Sequence, residues 1–150
     1  EVQLKEPSKL EAFNIIKKMK NNRAPGEDLI TAELIKKGGK RLWTNIYELV
    51  LKIWNEEEMP DEWRTALIFP IHKKGSKLEC NNFRGISLLS VVYKIFTNIV
   101  SSYLKVYTDE LLGEYQCGFR QGRSTTDHIF TIKQCLEKTN EHIFQYICSS

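Results

Sequence analysis

Apolar positions recur first at helical spacing, then at strand spacing, then at helical spacing again. Ser8-Lys9-Leu10-Glu11 reads as a capping box, in which the serine hydroxyl accepts a backbone N–H while Glu11 reaches back to the cap. Ala12, Ile15, Ile16 and Met19 follow as a helical stripe. Arg23-Ala24-Pro25-Gly26-Glu27-Asp28 breaks the pattern, and Asp28 is placed to cap a short helix that stops at Gly38-Gly39. From about residue 41 to 55, Leu42, Ile46, Leu49 and Ile53 predict an amphipathic helix whose face Trp43, Val50 and Trp54 widen. Met59-Pro60-Asp61 ends it.

The pattern then shortens. Thr65-Ala66-Leu67-Ile68-Phe69 is a strand-like run, with Pro70 confining its end to an edge or a bulge. After the polar stretch Lys73–Asn82, Asn82-Phe83-Arg84-Gly85-Ile86 predicts a second strand, so the two form a hairpin with a basic, movable tip. A long helix is expected over residues 90–107, with Val92, Ile95, Phe96, Ile99, Tyr103 and Val106 on one side. Ser124-Thr125-Thr126-Asp127 opens another helix, with Ile129, Ile132 and Leu136 facing its core. Ile143-Phe144-Gln145-Tyr146-Ile147-Cys148 carries a strand signature, and a terminal strand without a partner points to a divided domain. The predicted class is α+β, helix-rich, with one small antiparallel hairpin.

Composition narrows the classes. A chain of 150 residues suits one domain. Its 41% hydrophobic and 27% charged residues exclude a disordered or collagen-like chain. No apolar run approaches the ~20 residues that span a bilayer, so no membrane partner is expected. No signal peptide opens the chain, and its start at Glu1 points to residues before it. Cys80, Cys117, Cys135 and Cys148 form no C-x-x-C pair and stand at no zinc-ligand spacing to His72, His128 or His142, so reduced, intracellular thiols are expected.

The net charge of +3 is modest, but its distribution is uneven. Arg64, Lys73, Lys74, Lys77 and Arg84 face the single acid Glu79 in their stretch, and further cations cluster at Lys17-Lys18-Met19-Lys20 and from Lys36 to Arg41. Acids collect at Glu56–Glu58, Asp61 and Glu62, then at Asp109, Glu110 and Glu114. Such segregation creates local anion-binding fields, although any single cluster also suits a solvated helix face.

Two places carry candidate chemistry. Pro70-Ile71-His72-Lys73-Lys74-Gly75, facing Asn82-Phe83-Arg84-Gly85-Ile86-Ser87, is either an ordinary charged hairpin or a phosphate grip, arginine offering a planar fork and lysine a point charge. Gln116-Cys117-Gly118-Phe119-Arg120-Gln121-Gly122-Arg123-Ser124 runs into a helix N-terminus, either as a plain cap or as an anion site. It is no P-loop, since its glycine spacing is one residue short and Arg123 stands where lysine belongs. Trp43, Trp54 and Trp63 read as core anchors rather than base-stacking platforms, and no serine–histidine–aspartate arrangement can be drawn.

Taken in order, residues 20–28 (Lys-Asn-Asn-Arg-Ala-Pro-Gly-Glu-Asp), 70–75, 82–89 and 116–127 resemble a reverse transcriptase, more narrowly that of non-LTR (LINE-type) retrotransposons. The resemblance covers roughly residues 8–148. It implies the fingers of a right-hand polymerase over about residues 8–142 and the start of a first palm strand over 143–150. By it, Lys73, Lys74 and Arg84 would bind the dNTP triphosphate, and Gln116, Gly118, Phe119, Arg120 and Arg123 would lie along the template. Ala24-Pro25-Gly26 and Asp28 would shape the fingers and template entrance, and Ser124 and Asp127 would be structural.

The partners implied are RNA template, DNA primer and dNTP, with Mg2+ serving the complete domain. The family's metal-binding palm aspartates have no counterpart here, so no catalytic or metal-binding residue is expected and the fragment alone is expected to be inactive. An intracellular location is expected, with the nucleus as a candidate compartment. The alternatives are a catalytically dead remnant that binds nucleic acid or protein, and an unexpressed relic.

Overall fold

Ser8 starts the first helix as its sequence predicts, its hydroxyl accepting the Glu11 N–H at 3.2 Å. The computed structural model describes the backbone of residues 5–120 and 122–149. Its elements run α1 (Lys9–Lys18), α2 (Ala32–Lys37), α3 (Gly39–Glu56), β1 (Leu67–His72), β2 (Phe83–Leu88), α4 (Val91–Leu111) and α5 (Thr125–Ser149). They fall into two compact units, Glu1–Lys105 and Val106–Ser150. The described residues are α+β and helix-rich with one antiparallel hairpin, the expected class.

Helix capping corrects the sequence reading in two details. Only half of the first capping box forms: the Glu11 carboxylate turns away from the cap and accepts from the hydroxyls of Ser102 at 2.8 Å and Tyr103 at 3.3 Å on α4. Thr31, not Asp28, caps α2, accepting from Leu34 N–H at 3.4 Å. Asp28 accepts from Ile30 N–H at 3.1 Å in a local turn, the competing use of a short carboxylate.

The core of the first unit forms where the helix stripes meet. Ala12 and Ile16 of α1, Ala32 and Ile35 of α2, Ile46 and Val50 of α3, and Val91, Ile95 and Ile99 of α4 are buried together. A fully buried isoleucine contributes roughly 1.5–3 kcal/mol, so this cluster outweighs any single polar contact in the unit. The tryptophans anchor its rim as expected. Trp43 packs edge-on to Phe13 at 5.3 Å and donates to the Ile35 carbonyl at 2.7 Å, while Trp54 meets Tyr103 and Trp63 meets Tyr93.

The hairpin pairs Leu67 with Leu88 and ends with His72 opposite Phe83. Both strands extend further than the sequence predicts, because Pro70 lies inside the ladder opposite Gly85. A two-stranded sheet leaves every strand an outer edge, where a residue without an N–H loses nothing.

In the second unit, Asp127 caps α5 as expected, its carboxylate accepting from Ser124 N–H at 2.6 Å. Two expectations fail there. Ile129, Ile132 and Leu136 are more than half exposed, as is Val106 near the end of α4. An apolar stripe is buried only where a second layer covers it. The strand expected over Ile143–Cys148 is instead the continuation of α5. Extending a helix adds one hydrogen bond per residue fixed, whereas a strand needs a neighbour to satisfy its backbone.

Candidate nucleic-acid interface

The hairpin tip is held by its own polar groups. Lys73 N–H donates to the Asn82 carbonyl at 2.8 Å, adding one rung beyond β1 and β2. His72 Nε2 donates to the Gly75 carbonyl at 2.9 Å, and its ring lies 5.3 Å from that of Phe83. Gly75 has φ +76°, and a Cβ there would stand 2.7 Å from Asn82 Nδ2. That amide is committed, donating to the Ser76 carbonyl at 2.8 Å and to Glu79 Oε2 at 3.2 Å. The tip expected to move is thus tied across its base.

Lys73, Lys74 and Arg84 are exposed at this end of the hairpin, and among the described residues none of them forms an ion pair. Arg84 stands opposite Ile71, on the face that also carries Phe69 and Ile86. The structure therefore brings these sequence-predicted cations to one end of one element, with their charge uncommitted.

The glycine–arginine loop belongs to the second unit and spends its charge differently. The Arg120 side chain is only 12% exposed, and its Nε lies 3.6 Å from Asp109 Oδ1. Its Nη1 donates to the carbonyls of Leu112 at 3.4 Å and Gly113 at 3.1 Å, just past the end of α4. Arg123 pairs with Glu114. Gln116 Nε2 donates to the Gly118 carbonyl at 3.4 Å, and Cys117 is buried. Phe119 is the opposite case, fully exposed and at φ +61°, a left-handed conformation that a bulky aromatic adopts only when its surroundings enforce it.

Sequence reasoning placed Lys20 in a basic cluster but did not join it to Arg23 and Lys94. Lys20, Arg23 and Lys94 line a cavity of about 480 Å³ in the first unit. Lys94 interrupts the apolar run of α4, and a lone lysine between Tyr93 and Ile95 was the available signal. No group of three or more histidine, cysteine, aspartate or glutamate side chains gathers as metal ligands among the described residues. No helix among the described residues is long and apolar enough to cross a membrane.

The chain matches the reverse transcriptase (RNA-dependent DNA polymerase) family over residues 71–147. It is 29% identical over 126 residues to a transposon TX1 protein of 149 kDa from Xenopus laevis, covering 84% of this chain and 10% of the relative. It is 29% identical over 141 residues to the probable RNA-directed DNA polymerase from transposon BS of Drosophila melanogaster, covering 90% of this chain and 14% of the relative. A third relative, the RNA-directed DNA polymerase from the mobile element jockey of the same organism, is 28% identical over 128 residues, covering 81% of this chain and 14% of its own length. The chain thus spans between 10% and 14% of these curated relatives. The expected likeness to non-LTR transposon polymerases stands, and the chain belongs to the reverse transcriptase family.

Proposed function

We propose that the chain is the part of an RNA-directed DNA polymerase of a non-LTR retrotransposon that handles template and incoming nucleotide. The observation that carries this reading is the set of uncommitted cations, Lys73, Lys74 and Arg84, at the tip of a braced hairpin. Their charge suits a triphosphate, with the arginine fork fixing orientation and the lysines adding point charge. In the second unit, Phe119 offers a face for an unpaired base, with Gln116 and Gly118 beside it, while Arg120 and Arg123 hold the loop that carries them. RNA template, DNA primer and dNTP are the partners of this reading.

Mg2+ supplies the polymerase chemistry of the complete domain, and no step of it is assigned to residues of this chain. These residues alone bind but do not extend a primer.

The test is nucleotide binding by Arg84→Ala and Lys74→Ala. Loss of one charge-assisted hydrogen bond, worth roughly 1.5–3 kcal/mol, weakens dNTP binding by about ten- to a hundredfold. Unchanged affinity in both variants removes the hairpin from the triphosphate site. Primer extension by the isolated chain would overturn the assignment of its role as binding alone.

A further inference from the structure

The C-terminal end of α3 borders a cavity of about 660 Å³ within the first unit, inside the roughly 300–1,000 Å³ that binding clefts occupy. Leu49 of α3, which is exposed, and Met59 and Pro60 of the segment after it give the cavity apolar lining. The carboxylates of Glu56, Glu57, Glu58 and Asp61 line it as well. Two of the four have partners. Lys52 lies 3.9 Å from Glu56 and Arg64 lies 3.3 Å from Asp61, so both cations of the wall are committed. Glu57 and Glu58 form no ion pair among the described residues.

The helix end makes their charge costly. The carbonyls left over at a helix C-terminus carry partial negative charge, which favours cations there and disfavours anions. The last turn of α3 holds no basic residue, and Glu56, Glu57 and Glu58 follow one another across its end. Glu57 is the cap, at φ +55°, its N–H donating to the Ile53 carbonyl at 3.0 Å. The chain turns at that point, and Glu57, Glu58 and Met59 come to line the same cavity as Leu49. Two unpaired carboxylates thus stand where the helix dipole already disfavours them, beside apolar surface left to water. A cation carried next to an apolar group relieves both costs at once.

We propose that this cavity is a docking groove for a basic, partly apolar segment of a partner protein. Its lysine or arginine side chains meet Glu57 and Glu58, and an apolar side chain seats on Leu49, Met59 and Pro60. Charge complementarity selects the occupant, because the free carboxylates repel nucleic acid and nucleotides and attract the cation that the helix end lacks. Among the described residues no three histidine, cysteine, aspartate or glutamate side chains gather as metal ligands, and carboxylates strung along a turn suit cations spaced along a chain. The groove shares no residue with the hairpin tip or the Phe119 loop, so it adds a protein contact to the polymerase reading without depending on it.

The test is fluorescence anisotropy of the whole chain with a labelled hexapeptide of alternating lysine and leucine, across a range of salt. Glu57→Gln and Glu58→Gln each weaken binding by about two- to fivefold, the effect of one exposed ion pair, and flatten its salt dependence. Leu49→Gln weakens binding and keeps the salt dependence, because apolar contact is lost and no charge. Glu110→Gln, which alters a carboxylate of the second unit, binds as the parent does. Unchanged affinity in both Glu57→Gln and Glu58→Gln overturns the groove. An equal loss in Glu110→Gln also overturns it, since the attraction would then be general charge.

Two further measurements fix the occupant. A hexapeptide of alternating lysine and serine has the same charge and binds more weakly; equal affinity overturns the apolar seat. Self-association of the parent that Glu57→Gln abolishes, read by sedimentation equilibrium, overturns the partner protein in favour of a second copy of the chain. None of these outcomes bears on the hairpin, which dNTP binding by Arg84→Ala judges separately.

Discussion

Tyr103 donates its hydroxyl to the Glu11 carboxylate at 3.3 Å, joining the first turn of α1 to α4 across 92 residues of sequence. Ser102 donates to the other oxygen of the same carboxylate at 2.8 Å. A residue that sequence reading assigns to a local cap thus fastens two helices whose apolar stripes already meet in the core. Tyr103→Phe keeps the ring against Trp54 and removes only the hydroxyl, at a cost of about 1 kcal/mol in urea unfolding.

The same pair sets a dependence on alkaline pH. Burial raises the Tyr103 pKa, and the Glu11 charge and hydrogen bond raise it further. The native chain therefore holds this proton more tightly than the unfolded chain does. The resulting stability is whole below pH about 10, the ordinary value of the phenol, and is lost as pH rises through the higher native value. Stability of the parent falls more steeply in alkali than that of Tyr103→Phe. Identical slopes would exclude Tyr103 as the source.

Gly26 is buried where its chain segment crosses the junction of β2 and α4. A Cβ there would stand 2.6 Å from Ser90 N and 2.7 Å from Leu89 C, both backbone atoms that cannot swing aside. Gly26→Ala therefore forces a backbone shift, with an expected loss of about 1–3 kcal/mol. The urea midpoint should fall while the m-value stays constant.

What was legible follows from range. Periodicity located α3 and α4, and Ile46, Ile53, Ile95 and Ile99 are buried as their stripes require. Ser8 and Asp127 were legible as caps because they act within three residues. The partners of Glu11 and Lys36 were not, since spacing within an element carries nothing about which surface meets another. The same limit explains Arg120. Its residue type and its place in a glycine loop both suit an external anion, and only the fold shows it turned onto the end of α4. Ile143–Cys148 misled for a different reason: β-branched and aromatic residues favour strands chiefly through packing that a sequence does not show, and the backbone there continues α5.

Glu33 gives the acid counterpart to Tyr103. The Asn22 N–H is the largest cause holding its pKa below the ordinary carboxylate value. Its contribution is complete above the unfolded value of about 4.3 and disappears as pH falls through the lower native value. Amide exchange at Asn22, followed by NMR on lowering pH, should remain slow until that native value is reached and then accelerate. Acceleration already at the ordinary value would mean that the carboxylate does not hold this N–H.

Phe119 and Arg120 are adjacent in sequence and opposite in environment, so their alanine variants should separate stability from binding. Arg120→Ala leaves the Leu112 and Gly113 carbonyls without their donor and Asp109 without its cation. Loss of such contacts costs about 1–3 kcal/mol. Because the guanidinium is turned inward, its removal leaves the salt slope of RNA binding unchanged. Phe119→Ala removes a fully exposed ring and relieves a left-handed backbone of its bulky side chain, so stability is held or slightly raised. RNA affinity falls instead, by about the 1–3 kcal/mol that stacking of one base supplies, again without a change in salt slope because no charge is lost. A lower slope in Arg120→Ala would return that residue to the template path, and unchanged affinity in Phe119→Ala would remove the ring from it.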